Sequence, residues 1–213
     1  TRLCATAHTS KIKTYEDALK TKTVLGATAA GGSTRDYAAW HKNTTGAKFE
    51  IVSGYKGTAE LYLAMERGEI DGVCGVDWTA LKSQRAALLR EKKLNLLVQD
   101  GLTPDRELAE LGVPQTWPYI RNDFDRKAVE LIVGFQQAFG KAYLAPPGVP
   151  AERIAVLRNA FSETMTDPQF LEEARNVRIE ISPQSGESVQ HTVERLYAAP
   201  KDILNRIKSI QEP

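Results

Sequence analysis

Gly26-Ala27-Thr28-Ala29-Ala30-Gly31-Gly32-Ser33 follows the short run Thr23-Val24-Leu25 and precedes a helix-like stretch. The order is strand, glycine turn, helix N-terminus, which presents free backbone N–H groups to an anion. The spacing approaches that of the phosphate-binding P-loop: glycine, four residues, glycine, lysine, then serine or threonine. Gly32 stands where that loop needs its lysine. Without the charge a triphosphate is poorly neutralised, so the nucleotide reading is rejected. A smaller anion such as a carboxylate fits better. An ordinary strand-to-helix turn is the competing reading of this segment alone.

Working outward, strands and helices alternate through the first half. A strand at Leu3–Ala7 leads to a short helix from Thr14, where Thr14 and Asp17 have capping-box spacing. A strand at Thr23–Ala27 enters the glycine turn, then a helix at Ser33–Lys42 with Ser33 and Asp36 as a second expected capping box. A strand at Lys48–Val52 ends at Gly54-Tyr55-Lys56-Gly57, and a helix follows from Thr58 to Arg67, stopped by Gly68. A strand at Ile70–Gly75, a helix at Trp78–Glu91 and a strand at Asn95–Val98 close the series. Such alternation predicts a mostly parallel sheet covered by helices on both faces.

The second half reads as mostly helical. Arg106–Leu111 is a short helical piece, and Asp123–Phe139 carries an apolar face of Phe124, Ala128, Leu131, Ile132, Phe135 and Phe139. An extended piece at Ala142–Ala145 precedes Pro146-Pro147-Gly148-Val149-Pro150, which separates elements. A helix at Ala151–Met165 follows, then Asp167 and Pro168 as N-cap and first residue of the next helix. A strand at Arg178–Ile181 and a helical tail from Glu187, broken by Pro200, finish the chain. These helices have too few strands of their own, so their apolar faces are expected to pack on a sheet outside this sequence or on a partner chain.

At 213 residues, 42% hydrophobic, the chain can bury a sizeable core in one or two domains. Its 28 basic and 27 acidic residues leave a net charge of +1, so nothing in the charge implies nucleic acid. No apolar run is long enough to span a bilayer, and no charged start precedes an apolar signal core. Thr1-Arg2-Leu3-Cys4-Ala5-Thr6-Ala7 reads as a strand already under way, which suggests a mature or truncated fragment. Cys4 and Cys74 are too few for a disulfide framework; two buried thiols and one bridge both remain open.

The order of motifs resembles one family. Ile12-Lys13-Thr14-Tyr15-Glu16-Asp17, the Gly26-Ala27-Thr28 turn and Gly54-Tyr55-Lys56-Gly57-Thr58-Ala59-Glu60 follow one another. Ala64-Met65-Glu66-Arg67-Gly68-Glu69-Ile70-Asp71-Gly72 comes next, and later Ala145-Pro146-Pro147-Gly148-Val149-Pro150-Ala151-Glu152-Arg153. Together they are similar to the periplasmic solute receptors of tripartite tricarboxylate transporters, the Bug receptors. The resemblance covers nearly the whole chain. It implies an α/β, periplasmic-binding-protein-like fold of type II, a Venus flytrap in which a small carboxylate binds between two lobes. One α/β lobe with a parallel-rich sheet would be present, with the C-terminal, mostly helical part of a second lobe. Residues 8–95 would form the ligand-binding lobe, 1–7 and 96–102 the hinge strands, and 103–213 the returning part of the first domain. Family members carry about a hundred further N-terminal residues, roughly one domain, which this sequence lacks.

The resemblance implies a ligand site at Ala30, Gly31, Gly32, Ser33 and Thr34, where N–H groups and the helix dipole favour an anion by roughly 0.3–2 kcal/mol. Ser33 is expected to cap its own helix, leaving the amides for the ligand. Tyr55, Gly57 and Thr58 form a second glycine-bounded turn at the same end of the sheet, where ligands of open α/β sheets sit. Lys56 could add charge there, against the plainer reading of a packed Tyr55 and a solvated Lys56. Asp77 follows the next strand near the cleft, and Trp78 reads as a helix anchor before a stacking ring. Asp71-Gly72 reads as a strand-end device before an acid/base pair with Glu69.

His8, His41 and His191 share no ligand spacing and read as unrelated surface or hinge residues, so no metal is expected. No serine sits in Gly-x-Ser-x-Gly. Lys82, Arg85, Arg90, Lys92 and Lys93 read as a solvated helix face. The leading expectation is a periplasmic binding protein, not an enzyme, with no cofactor, that passes a small carboxylate to a membrane permease. The alternatives are an α/β enzyme acting on a small anionic substrate and a truncated remnant that binds nothing and forms a homodimer.

Overall fold

A computed structural model describes residues 1–140, 142–177, 179 and 181–213. Its first unit, Thr1–Val133 with Pro200–Pro213, is an α/β layer. The strands are β1 (Arg2–Ala7), β2 (Thr23–Ala27), β3 (Phe49–Ser53), β4 (Gly72–Asp77) and β5 (Leu94–Asp100), in the sheet order β3-β2-β4-β1-β5. β2 is parallel to β3 and to β4, whereas β1 runs antiparallel to both β4 and β5. The sheet is therefore parallel-rich, as expected, with one reversed strand inserted between two others.

Side-chain alternation divides the core between the two faces. Cys4 and Cys74 face one side with Leu25 and Phe49, while Leu3, Ala5, Val73 and Val76 face the other. The first face is covered by α1 (Tyr15–Lys20) and α2 (Ser33–Thr45), through Tyr15, Ala18, Tyr37 and Trp40. The second is covered by α3 (Thr58–Glu66), α4 (Trp78–Gln84) and, after α5 (Ala86–Arg90), α6 (Arg106–Glu110). Each fully buried leucine here, such as Leu61 or Leu81, contributes roughly 1.5–3 kcal/mol. Cys4 and Cys74 form a disulfide across β1 and β4, which resolves the choice left open by the sequence.

Local signals explain several boundaries. Thr14 caps α1 in a full capping box with Asp17. The second expected box is corrected. Gly32, not Ser33, is the N-cap of α2, no side chain caps it, and Asp36 turns back to accept from the Gly31 N–H at 3.3 Å. The expected helix at 78–91 is two helices, because Arg85 leaves helical geometry between α4 and α5. Asp71 does act as a strand-end device. Its backbone N–H donates to the Val24 carbonyl, and its carboxylate accepts from the Val24 N–H and the Ser10 hydroxyl, at 2.8–2.9 Å.

The C-terminal helices also depart from expectation. α7 (Asp123–Ala138) and α11 (Lys201–Ile210) need no outside sheet, because Ala128, Val129, Ile132, Val133, Ile203 and Ile210 join the core on the α1/α2 face. The Asp125 carboxylate accepts from Arg206 Nε at 2.6 Å and ties α7 to α11. Asn43 on α2 donates to the Ile210 carbonyl at 3.0 Å.

The second unit is Gly134–Ala199. It holds α8 (Ala151–Thr166), α9 (Pro168–Asn176), capped by Asp167 as expected, and α10 (Gly186–Tyr197). Ala142–Ala145 is irregular rather than a strand, and of the strand expected at Arg178–Ile181 two positions, Arg178 and Glu180, lie outside the described residues. α8 and α10 bury no residue fully, and Val156, Leu157 and Tyr197 are exposed. Among the described residues no helix is long and apolar enough to cross a membrane.

Candidate functional site

The carboxyl ends of β3, β2 and β4 lie side by side, so the turns that leave them meet at one edge. Ala27 pairs with Ser53 in the parallel register, and the Ala27 carbonyl accepts from the N–H groups of Gly54 and Tyr55 at 3.2 and 3.3 Å. The 28–33 and 54–58 turns are thereby neighbours, and α2, α3 and α4 all begin at this edge.

The glycine turn is open. Ala29, Ala30 and Gly31 are exposed, and Gly32 and Ser33 are half-buried. The Gly32 N–H closes the turn onto the Ala29 carbonyl, and the N–H groups of Arg35 and Asp36 both donate to the Gly32 carbonyl, each at 3.0 Å. Among the described residues, the N–H groups of Ser33 and Thr34 have no protein acceptor. These are the orphan donors of a helix first turn, held at the positive end of the α2 dipole. The Thr34 side chain is not available to a ligand: it is buried, and its Oγ1 accepts from the Thr28 N–H and contacts Thr28 Oγ1, both at 2.9 Å.

Two close approaches shape this end. Gly75 on β4 has a φ of +68°, and a β-carbon there would lie 2.3 Å from the Ser33 carbonyl oxygen. At Gly32 a β-carbon would lie 2.2 Å from Thr28 Oγ1. Gly75 lets the start of α2 sit directly on β4, and Gly32 lets the turn close over Thr28; the pairing of Gly75 with Ser33 is not visible from spacing.

Gly57 is the N-cap of α3, so Thr58 opens that helix and is exposed. Tyr55 packs with the α3 face of the core and passes close to Gly26. Asp77 spends its carboxylate capping α4, accepting from the Ala80 N–H at 2.9 Å. Trp78 is a buried anchor whose indole N–H donates to Glu107 at 3.1 Å. Lys82, first, then Trp78 hold the Glu107 carboxyl below its usual range. In the basic stretch, Lys82 pairs with Glu107, Lys93 with Glu91, and Arg85 lies over the Tyr62 ring.

Sequence reasoning passed over Arg2. Because β1 is reversed, its first residue lies at the carboxyl edge, opposite both Asp77 and Asp100. Arg2 Nη1 donates to the Gly75 carbonyl at 2.9 Å, and the guanidinium lies 5.6 Å from the centre of the Tyr37 ring. Among the described residues it has no carboxylate partner. Asp36 lies 3.5 Å from Arg35 Nη1, and burial pushes its carboxyl above the ordinary value.

The surface reading of the histidines is corrected for His41, which is wholly buried. Its Nδ1 lies 2.7 Å from the Tyr15 hydroxyl and its Nε2 3.1 Å from Asp100 Oδ1.

The whole architecture can be compared with solved structures. A TctC solute-binding protein from Polaromonas superposes with a TM-score of 0.64 at 16% identity, covering 96% of this chain and 66% of its own. An R. palustris protein with adipate gives 0.60 at 16% identity, covering 97% and 65%. MatC from Rhodopseudomonas palustris with bound malate gives 0.58 at 15% identity, covering 99% and 66%. The chain has the fold of a TctC-type solute-binding protein. It spans about two thirds of the length of these structures. No protein-family model matches the sequence, and no curated protein matches it.

Proposed function

We propose that this chain is a solute-binding protein that captures a small carboxylate at the α2 N-terminus. The supporting observation is the pair of acceptor-free N–H groups at Ser33 and Thr34, at an open glycine turn on the carboxyl edge of the sheet. The carboxylate would take those two donors, with Arg2 supplying a positive charge from the neighbouring strand. Ala30, Gly31 and Gly32 would form the floor of the turn, and Tyr55, Gly57 and Thr58 the adjacent wall. Asp77 would hold the start of α4 in place. The proposed mechanism is capture and release without bond making. The solved relatives of the fold carry adipate and malate, which favours a carboxylate ligand.

In this reading the protein works in the periplasm, β1 and β5 continue as hinge strands toward a second lobe, and closure excludes water before a membrane permease is met. A panel of mono-, di- and tricarboxylates screened by thermal shift tests the ligand class. At a hundred times its dissociation constant a true ligand adds about 2.7 kcal/mol of stability. No stabilisation by any acid of the panel would count against the proposal.

A further inference from the structure

The buried cluster behind the glycine turn has a different chemistry. Cys4 on β1, Cys74 on β4 and His41 on α2 place their two sulfurs and an imidazole nitrogen within 4.8 Å of one another, all fully buried. Asp100, at the end of β5, brings a carboxylate to 3.1 Å from His41 Nε2. That separation is an ion-pair distance, but the alignment is not that of a hydrogen bond. Among the described residues His41 Nε2 and Asp100 Oδ2 are both left without a hydrogen-bond partner. Orphaned buried polar atoms are costly, and here one of the two belongs to the imidazole that lies beside the pair of sulfurs.

The supports around the cluster are those of a ligand set. The Tyr15 hydroxyl contacts His41 Nδ1 at 2.7 Å and Thr45 Oγ1 at 2.8 Å, which fixes the ring and leaves Nε2 as the outward nitrogen. Trp40 stacks on the imidazole at 3.8 Å, and Thr116 donates to Asp100 Oδ1. Second contacts of this kind orient metal-binding histidines and carboxylates. Cysteine, histidine and aspartate are zinc donors, and ligand atoms around a tetrahedral zinc lie roughly 3.3–3.8 Å apart. The imidazole lies within reach of both sulfurs, which must part on reduction before the set can take that geometry.

We infer that Cys4, Cys74 and His41, with Asp100 beside them, form a redox-gated site for a thiophilic divalent cation such as Zn²⁺. In the oxidised protein the two sulfurs are bonded to each other and cannot ligate. A dithiol opens the site: it gives two electrons and two protons to the Cys4–Cys74 bond, yielding two thiols, and is itself oxidised to a disulfide. Metal entry then displaces the two thiol protons to solvent, and the thiolates with His41 Nε2 bind the ion. The site lies in the core, so the ion enters through local opening of the sheet and α2.

The experiment reduces the full chain with dithiothreitol, removes the reductant anaerobically and titrates Co²⁺, then Zn²⁺. The expected result is a thiolate-to-cobalt charge-transfer band at one equivalent, bleached by Zn²⁺ and absent from the oxidised protein. Cys4→Ser with Cys74→Ser abolishes the band, His41→Gln abolishes it or weakens binding at least tenfold, and Tyr15→Phe weakens binding about tenfold. His8→Gln and His191→Gln leave it unchanged. If reduction loosens the fold, far-UV circular dichroism reports metal-driven refolding in the wild type and not in His41→Gln. The inference is overturned if the reduced chain, folded or loosened, gives no band. It is equally overturned if the band survives His41→Gln undiminished, or falls as much in the His8 and His191 variants.

Discussion

Gly75 and Ser33 lie in backbone contact: a β-carbon on Gly75 would sit 2.3 Å from the Ser33 carbonyl oxygen and 3.1 Å from Tyr37 Cβ. The first turn of α2, which carries the two acceptor-free amides, thus rests on β4 at Gly75, where the strand has no side chain. Gly75→Ala is expected to push the helix start off the sheet and to force alanine into a left-handed backbone at φ +68°. The strain costs about 1–3 kcal/mol. Urea unfolding should show that loss together with weakened carboxylate binding.

Gly32→Val separates binding from the backbone conformation. Gly32 has φ −82°, which any residue adopts, so the obstacle is steric: Thr28 Oγ1 at 2.2 Å and the Ala29 carbonyl at 3.0 Å. The turn must open to admit the side chain, which moves the Ser33 amide. Circular dichroism should remain that of a folded α/β protein, while the thermal shift given by a carboxylate disappears.

Asp36 makes stability depend on pH in a defined direction. Burial, the largest cause, raises its folded pKa above the ordinary 3.8, so the folded chain holds the proton more tightly than the unfolded chain. Its contribution is therefore full below 3.8 and is lost as pH rises through the raised folded value. Relative to Asp36→Asn, which does not titrate, the wild type should lose stability across that window. Urea midpoints of the two proteins measured at matched pH check the sign.

The Cys4–Cys74 bridge closes a sequence separation of 70 residues. On chain-entropy grounds a loop of that size is worth about 4 kcal/mol. Cys4→Ser with Cys74→Ser should lower the unfolding free energy by about 2–4 kcal/mol, measured by urea denaturation without reductant.

Much of the α/β layer was legible because its signals are local. The Thr14/Asp17 box and the Gly68 stop each act within one turn of chain, as does the Asp167-Pro168 start in the second unit. Direction is not local. Nothing in Leu3–Ala7 records that β1 runs backwards between β4 and β5, so Arg2 could not be placed at the carboxyl edge. Ser33 was misread as the cap because a serine before a helix usually accepts from the third residue on; here the Gly31-Gly32 turn moved the boundary back by one residue. His41 and the apolar faces of α7 and α11 became buried only through packing between distant segments, which helical periodicity leaves unassigned.

Two main-chain donors, the Ser33 and Thr34 amides, carry the proposed binding. Titration of ¹⁵N-labelled protein with malate or adipate, followed by amide resonances, tests them directly. The Ser33 and Thr34 amides are expected to shift first and furthest, saturate together, and fail to move in Gly32→Val. Saturable carboxylate binding that leaves the Ser33 and Thr34 amides where they were would contradict this.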